Sequence, residues 1–224
     1  MRVHGYSAIV GTTRKDLWFG AGDIPLATTA IGLALKSDAA ADDGGSTGAR
    51  NLRVEYLDSS WEPASLTSPA LTGLTEVDCS TPLFMRAQAL YVTAAGSGAK
   101  NAGNITALIP SGADQASMPI GWNVGAFGAF TVPNGREGIV RRCGFSFAAG
   151  QQCEGFLLGN FDPVTKTKRE AIFYTHYHTL FRDGVTSITL DKPLIVPEKC
   201  AVKLAAIAGA AGQTIAGWFE IDIQ

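Results

Sequence analysis

The chain has 224 residues, and 46% of them are apolar, enough to fill the core of one large β domain or two small ones. Charge is scarce, 17% with a formal net of −2, against roughly 25% in an average chain, which favours surface hidden in an assembly over a freely soluble enzyme. No basic stripe of a nucleic-acid binder, no run of about 18 apolar residues that could span a membrane, and no secretion signal in Met1-Arg2-Val3-His4-Gly5 is visible, so the chain is expected to be made in a cytoplasm and to bind neither nucleic acid nor membrane.

Residues 1–30 read as an irregular N-terminal arm. Its aromatic patch, Leu17-Trp18-Phe19, is a candidate contact with a neighbour. Ile31–Lys36 alternates as a strand, and a long small-residue loop, 37–48, follows. Asn51–Leu57 alternates again. Short strands are expected near 64–66, 74–77, 83–84, 87–93 and 104–109, with a turn-rich connection over 110–125. The clearest β region then begins, with strands near 126–132, 138–147, 153–159, 170–179, 184–190, 193–196, 200–208 and 214–222. Phe181-Arg182-Asp183-Gly184 reads as a hairpin turn, because Asp-Gly takes up positive φ readily. No 12-residue window keeps a helical period with caps at both ends. The fold expected is all-β: an antiparallel β-sandwich of jelly-roll type over 31–224, with a possible sub-boundary near 110–125.

Two segments resemble each other. Val132-Pro133 leads through a polar turn and a strand to Ala148-Ala149-Gly150-Gln151 and a second strand. Val196-Pro197 leads the same way to Ala210-Ala211-Gly212-Gln213 and Ile215–Glu220. Both read as hairpins of one scaffold. The first carries Arg136, Arg141 and Arg142 and is expected nearer a partner. The second is apolar and expected to be the more buried, with Trp218 in the core.

Chemical sites are sparse. His176 and His178 share one face of a strand and could approach one metal, with Glu170 or Asp183 as a third ligand. A wet or partner-facing strand gives the same pattern, and neither third ligand is forced close, so no metal or cofactor is assigned. No G-x-S-x-G elbow, P-loop or pair of acids across a groove occurs. Asp38, Asp42 and Asp43 read as turn-capping carboxylates. Cys79, Cys143, Cys153 and Cys200 read as buried reduced thiols. The loop tryptophans Trp61 and Trp122 are candidate anchors for a partner. No enzyme is expected.

Four stretches together resemble virion structural proteins of tailed bacteriophages. They are Ser37-Asp38-Ala39-Ala40-Ala41-Asp42 through Gly48-Ala49-Arg50 to Asp58, Phe84–Ser97 with Arg86, Asn101-Ala102-Gly103-Asn104-Ile105-Thr106, and Phe130–Gly138. Asn104 stands where the family pattern has Asp, and Leu71-Thr72-Gly73-Leu74 stands where it has an Asn-Gly-Thr turn. The resemblance implies a structural protein of the particle with no catalytic residues. A capsid decoration or cement protein on the head surface is the first expectation. Its partners would be the major capsid protein and further copies of itself, as a homotrimer. A tail, neck or receptor-binding protein is the alternative.

Overall fold

The computed structural model of the protein describes residues 1–20, 23–79, 84–109, 112–169 and 172–224, excepting the side chains of residues 8, 9, 148–151 and 183. Strands β1 (Arg2–Val10) and β2 (Lys15–Asp16) open the chain. β3 (Ala34–Ser37), β4 (Ala49–Asp58), β5 (Pro63–Thr67), β6 (Val77–Asp78), β7 (Phe84–Ala95), β8 (Ile105–Leu108) and β9 (Asp114–Met118) fill its middle. β10 (Ala129–Thr131), β11 (Gly138–Gly159), β12 (Tyr174–Val196), β13 (Ala201–Ala208) and β14 (Gln213–Ile223) close it. The fold is all-β, and every pairing between these strands is antiparallel.

Two compact units divide the chain. Met1–Asp23 and Phe127–Gln224 form the first; Ile24–Ala126 forms the second, inserted in sequence between β2 and β10. The second junction falls just past the expected sub-boundary. The arm expected over 1–30 is absent from the first unit. β1 pairs along β14 from Arg2↔Glu220 to Val10↔Gln213, and Leu17 and Trp18 are buried. An apolar patch at a chain start can cover a neighbour or its own core, and here it covers its own.

In the first unit β11 is the central strand, and it folds over on itself. Residues 138–147 pair with β14 on one side and with 184–196 of β12 on the other. Residues 152–159 pair instead with β13 and with 174–182 of β12. The register breaks between Phe147 and Gln152, where the strand turns the corner. Gly155 shows how sharp the fold is. An ideal Cβ there would stand 2.7 Å from the Phe145 ring, although ten residues of straight strand would separate them by about 33 Å.

Counted as eight segments in chain order, β1, β10, 138–147, 152–159, 174–182, 184–196, β13 and β14 pair as 1-8-3-6 and 5-4-7-2. This is the jelly-roll order. The two similar segments of the sequence occupy segments 3–4 and 7–8. Neither is a hairpin: segment 3 pairs with 8 and segment 4 with 7, so each copy pairs with the other copy. Asp183-Gly184 is likewise a corner inside β12, with Gly184 at φ 76°. Both copies are central, so the expected contrast in burial between them is absent: Cys143, Phe145, Cys153 and Leu157 of one and Val202, Leu204, Ile215, Phe219 and Ile221 of the other share one core. Trp218, expected in that core, points outward and is half-buried, while Gly217 and Phe219 face in.

The second unit holds sheets β6-β3-β8-β9 and β5-β4-β7. Leu35, Leu52, Val54, Tyr56, Phe84, Leu90, Ile105 and Met118 are buried there. β9 lies inside the segment expected to be a turn-rich connection.

Candidate interaction surface

Residues 37–49 and 102–103 of the second unit meet at one carboxylate. Asp42 is fully buried. Its Oδ1 accepts from Ala49 N–H (2.6 Å) and Ala102 N–H (2.8 Å), and its Oδ2 from the Ser37 hydroxyl (2.6 Å) and Gly103 N–H (2.9 Å). Gly73 N–H closes on the Asp42 carbonyl at 2.7 Å, so the loop that departs from the family pattern is still held. Every lone-pair direction is met by a donor, which makes this an internal staple and no cation cradle. Asp38 accepts from Asn104 N–H and from Asn104 Nδ2, both at 2.7 Å. An aspartate at 104 would set two carboxylates face to face, so asparagine suits this partner.

The staple holds an adjoining segment, 119–125. Asn101 is fully buried, and its Nδ2 donates to the carbonyls of Gly103 (2.7 Å) and Pro119 (2.8 Å). Asn101 and Asn123 exchange backbone N–H to side-chain Oδ1 bonds, both 3.1 Å. Ile120 N–H reaches Asn104 Oδ1 at 3.0 Å, Gly121 N–H the Asn101 carbonyl at 3.1 Å, and Gly125 N–H the Leu90 carbonyl at 2.8 Å. Gly121 and Asn123 take positive φ, 76° and 59°, held by these bonds. The outcome is a rigid segment that turns apolar side chains outward: Ile120 is 58% exposed, Trp122 48% and Val124 47%, and Val124 is bridged to Tyr91, itself 36% exposed. Burial, then the Glu55 carboxylate, pushes the Tyr91 phenol up against the opposing pull of Arg53, so the ring stays neutral. A fixed tryptophan flanked by aliphatic groups has the make-up of an interface anchor.

The other candidates scatter. Trp18 is buried, its ring filling the place a Cβ on Gly20 would need. Phe19 stacks on Tyr6, centroids 6.0 Å apart. Trp61 sits half-buried in the β4–β5 turn, with the Arg86 guanidinium 5.1 Å from its ring centroid. Arg136 is exposed in the turn 133–137. Arg141 faces Asp222 at 3.5 Å, and Arg142 stands near Glu220, whose carboxyl is held down first by its hydrogen bond from Arg2. His176 and His178 are not gathered on one ligand site. His176 stacks on Phe161 (4.3 Å) and His178 on Phe156 (4.7 Å), with His178 Nε2 at 2.9 Å from Glu154. Glu170 and the Asp183 side chain lie outside the described residues, and among those described no group of three or more ligands could hold a metal.

Reading the residues missed the Asn101–Asn123 lock and the exposed Ile120 and Val124, whose signal was Ile-x-Trp-x-Val inside a turn-rich stretch. It also missed a buried ion pair, Lys203 Nζ to Asp16 Oδ2 at 2.6 Å, with the same ammonium 4.1 Å from the Phe173 centroid.

No family model matches the chain, and no curated protein matches it. A chain from a solved structure of the infectious bursal disease virus Gt strain aligns at 9% identity and TM-score 0.24, over 99% of this chain and 66% of that one. This chain thus spans just under two thirds of that one, and a likeness so slight carries no argument.

Proposed function

We propose that this chain is a non-enzymatic structural protein of a tailed-phage virion, a decoration or cement protein that bridges capsomers on the head surface. Its partners are the major capsid protein and further copies of itself, in a homotrimer, and it uses no cofactor. The observation that carries the reading is the staple. Two stretches that resemble phage virion proteins, separate in sequence, converge on Asp42, and a third, Phe84–Ser97, is joined to the first by the Gly96 N–H to Gly48 carbonyl bond. Together they fix an exposed apolar segment around Trp122. A jelly roll alone would not distinguish this function from many others. Attachment through a free N-terminal arm has no support, because residues 2–10 are a strand of the sheet.

Binding of the purified protein to undecorated heads tests the reading. Trp122→Asp is expected to weaken binding by about 30-fold, the cost of an interface anchor of about 2 kcal/mol, while the urea midpoint stays put. Unchanged binding by this variant overturns the role of the surface. The exposed aromatic also suits a tail or receptor-binding protein. That reading predicts binding to host cells and none to heads.

A further inference from the structure

The loop between β11 and β12 closes over a histidine. His176 lies nearly flat on Phe161, with centroids 4.3 Å apart and planes at 25°, and Phe161 is fully buried. Gly159 makes room for this: an ideal Cβ there would stand 2.4 Å from the Phe161 ring and 2.9 Å from His176 Nε2. That Nε2 is buried and meets no hydrogen-bond partner. On the loop, Lys166 takes φ 59° and sets its ammonium 5.6 Å from the centroid of the same Phe161 ring.

The loop is also held by its own turn and at its base. Asp162 Oδ1 accepts from the N–H groups of Val164 and Thr165, both at 2.8 Å. Asp162 N–H reaches the Thr167 carbonyl at 2.9 Å, and Arg169 N–H the Asn160 carbonyl at 2.7 Å. Val164, at the tip, is 86% exposed. Phe161 is therefore the loop's apolar anchor, and His176 is the ring laid on it.

Among the described residues, the charged groups that face His176 are Lys166 and Asp162 of the loop; on its own strand, His178 is turned to Glu154. Burial, then Lys166, holds His176 below its ordinary 6.5, against the weaker pull of the Phe161 and Gly159 carbonyls and Asp162. We propose that residues 160–169 form an acid-released latch: neutral His176 clamps Phe161, and protonated His176, buried on that ring beside Lys166, lets the loop lift away.

The sign follows from linkage. The closed loop disfavours the proton and the open loop does not. Closure is therefore fully stabilised above 6.5 and loses stability as the pH falls below it. The opening constant grows by about tenfold per pH unit until the closed form also titrates.

Hydrogen exchange of the full chain at about pH 7.5 and about pH 5, corrected for intrinsic rates, reads the latch directly. Peptides over 160–169 are expected to lose protection at acid pH, while peptides over β14, residues 215–223, do not. His176→Phe keeps an aromatic stack without the proton and should abolish the acid loss. Should that variant fail to fold, NMR titration of the wild-type His176 ring replaces it, and loop opening must follow that ring's own midpoint. Equal loop protection at both pH values, the same acid loss in His176→Phe, or opening that ignores the His176 midpoint would overturn the latch.

Discussion

Removing the Asp42 carboxylate should unfold the second unit selectively. Asp42→Ala strips the acceptor from three backbone N–H groups, at 2.6, 2.8 and 2.9 Å, and from the Ser37 hydroxyl. The hydroxyl can rotate to another partner; the three amides cannot. Each buried donor left without an acceptor costs about 1–3 kcal/mol, and a water entering the vacated space relieves part of that. The expected loss is about 3–5 kcal/mol, at the severe end for one substitution. Asp42→Asn keeps one oxygen but turns an NH₂ toward an N–H donor, and should fall between the two. All these bonds lie within residues 37–103, so the loss should be confined to Ile24–Ala126. Urea unfolding gives the total, and hydrogen exchange assigns it: opening should rise in 37–58 and 94–109 while β11 and β13 keep their protection. A loss below about 1 kcal/mol, or one spread equally over both units, would refute Asp42 as the staple.

Three further outcomes follow from the structure. Lys203→Met leaves Asp16 buried without its ammonium and should cost about 3–5 kcal/mol in urea unfolding, whereas adding Asp16→Leu should recover much of it; equal losses in the single and double variants would contradict a coupled pair. All four cysteines are buried thiols, none in a disulfide, and burial pushes the thiols of Cys79 and Cys143 up to about 11. The native protein should therefore show no fast thiol with Ellman's reagent near pH 8 and four after denaturation. Deleting residues 1–20 removes β1 and the buried Leu17 and Trp18, so it should abolish folding of the first unit, as read by loss of its hydrogen-exchange protection.

The strands were legible because alternation marks them locally. Asn51–Leu57 lies within β4, and the expected strands 138–147, 153–159, 200–208 and 214–222 fall on β11, β13 and β14. Their partners were not legible. Asp183-Gly184 and Ala148–Gln151 carry the composition of hairpin tips, yet both are corners in continuous strands. A hairpin and a corner ask the same of the backbone, a local bend with small residues. They differ only in whether the flanking runs pair with each other or with a third strand. β1 was lost for the same reason: nothing in Arg2–Val10 announces that β14, more than two hundred residues away, completes it. Within the candidate surface, Trp122 was legible as an isolated loop tryptophan. Asn101, Asn104 and Asn123 were not, since an asparagine in a loop shows no partner until the fold brings one. Trp18 misled because an aromatic in a short glycine-rich stretch looks the same whether it covers its own core or another molecule.

Imaging of intact particles by cryo-electron microscopy, with this protein carrying a label, tests the central claim most directly. A decoration protein predicts label at many symmetry-related positions across the whole head, with the segment around Trp122 against the shell. Label confined to a single vertex or the tail, or particles that carry none, would contradict it.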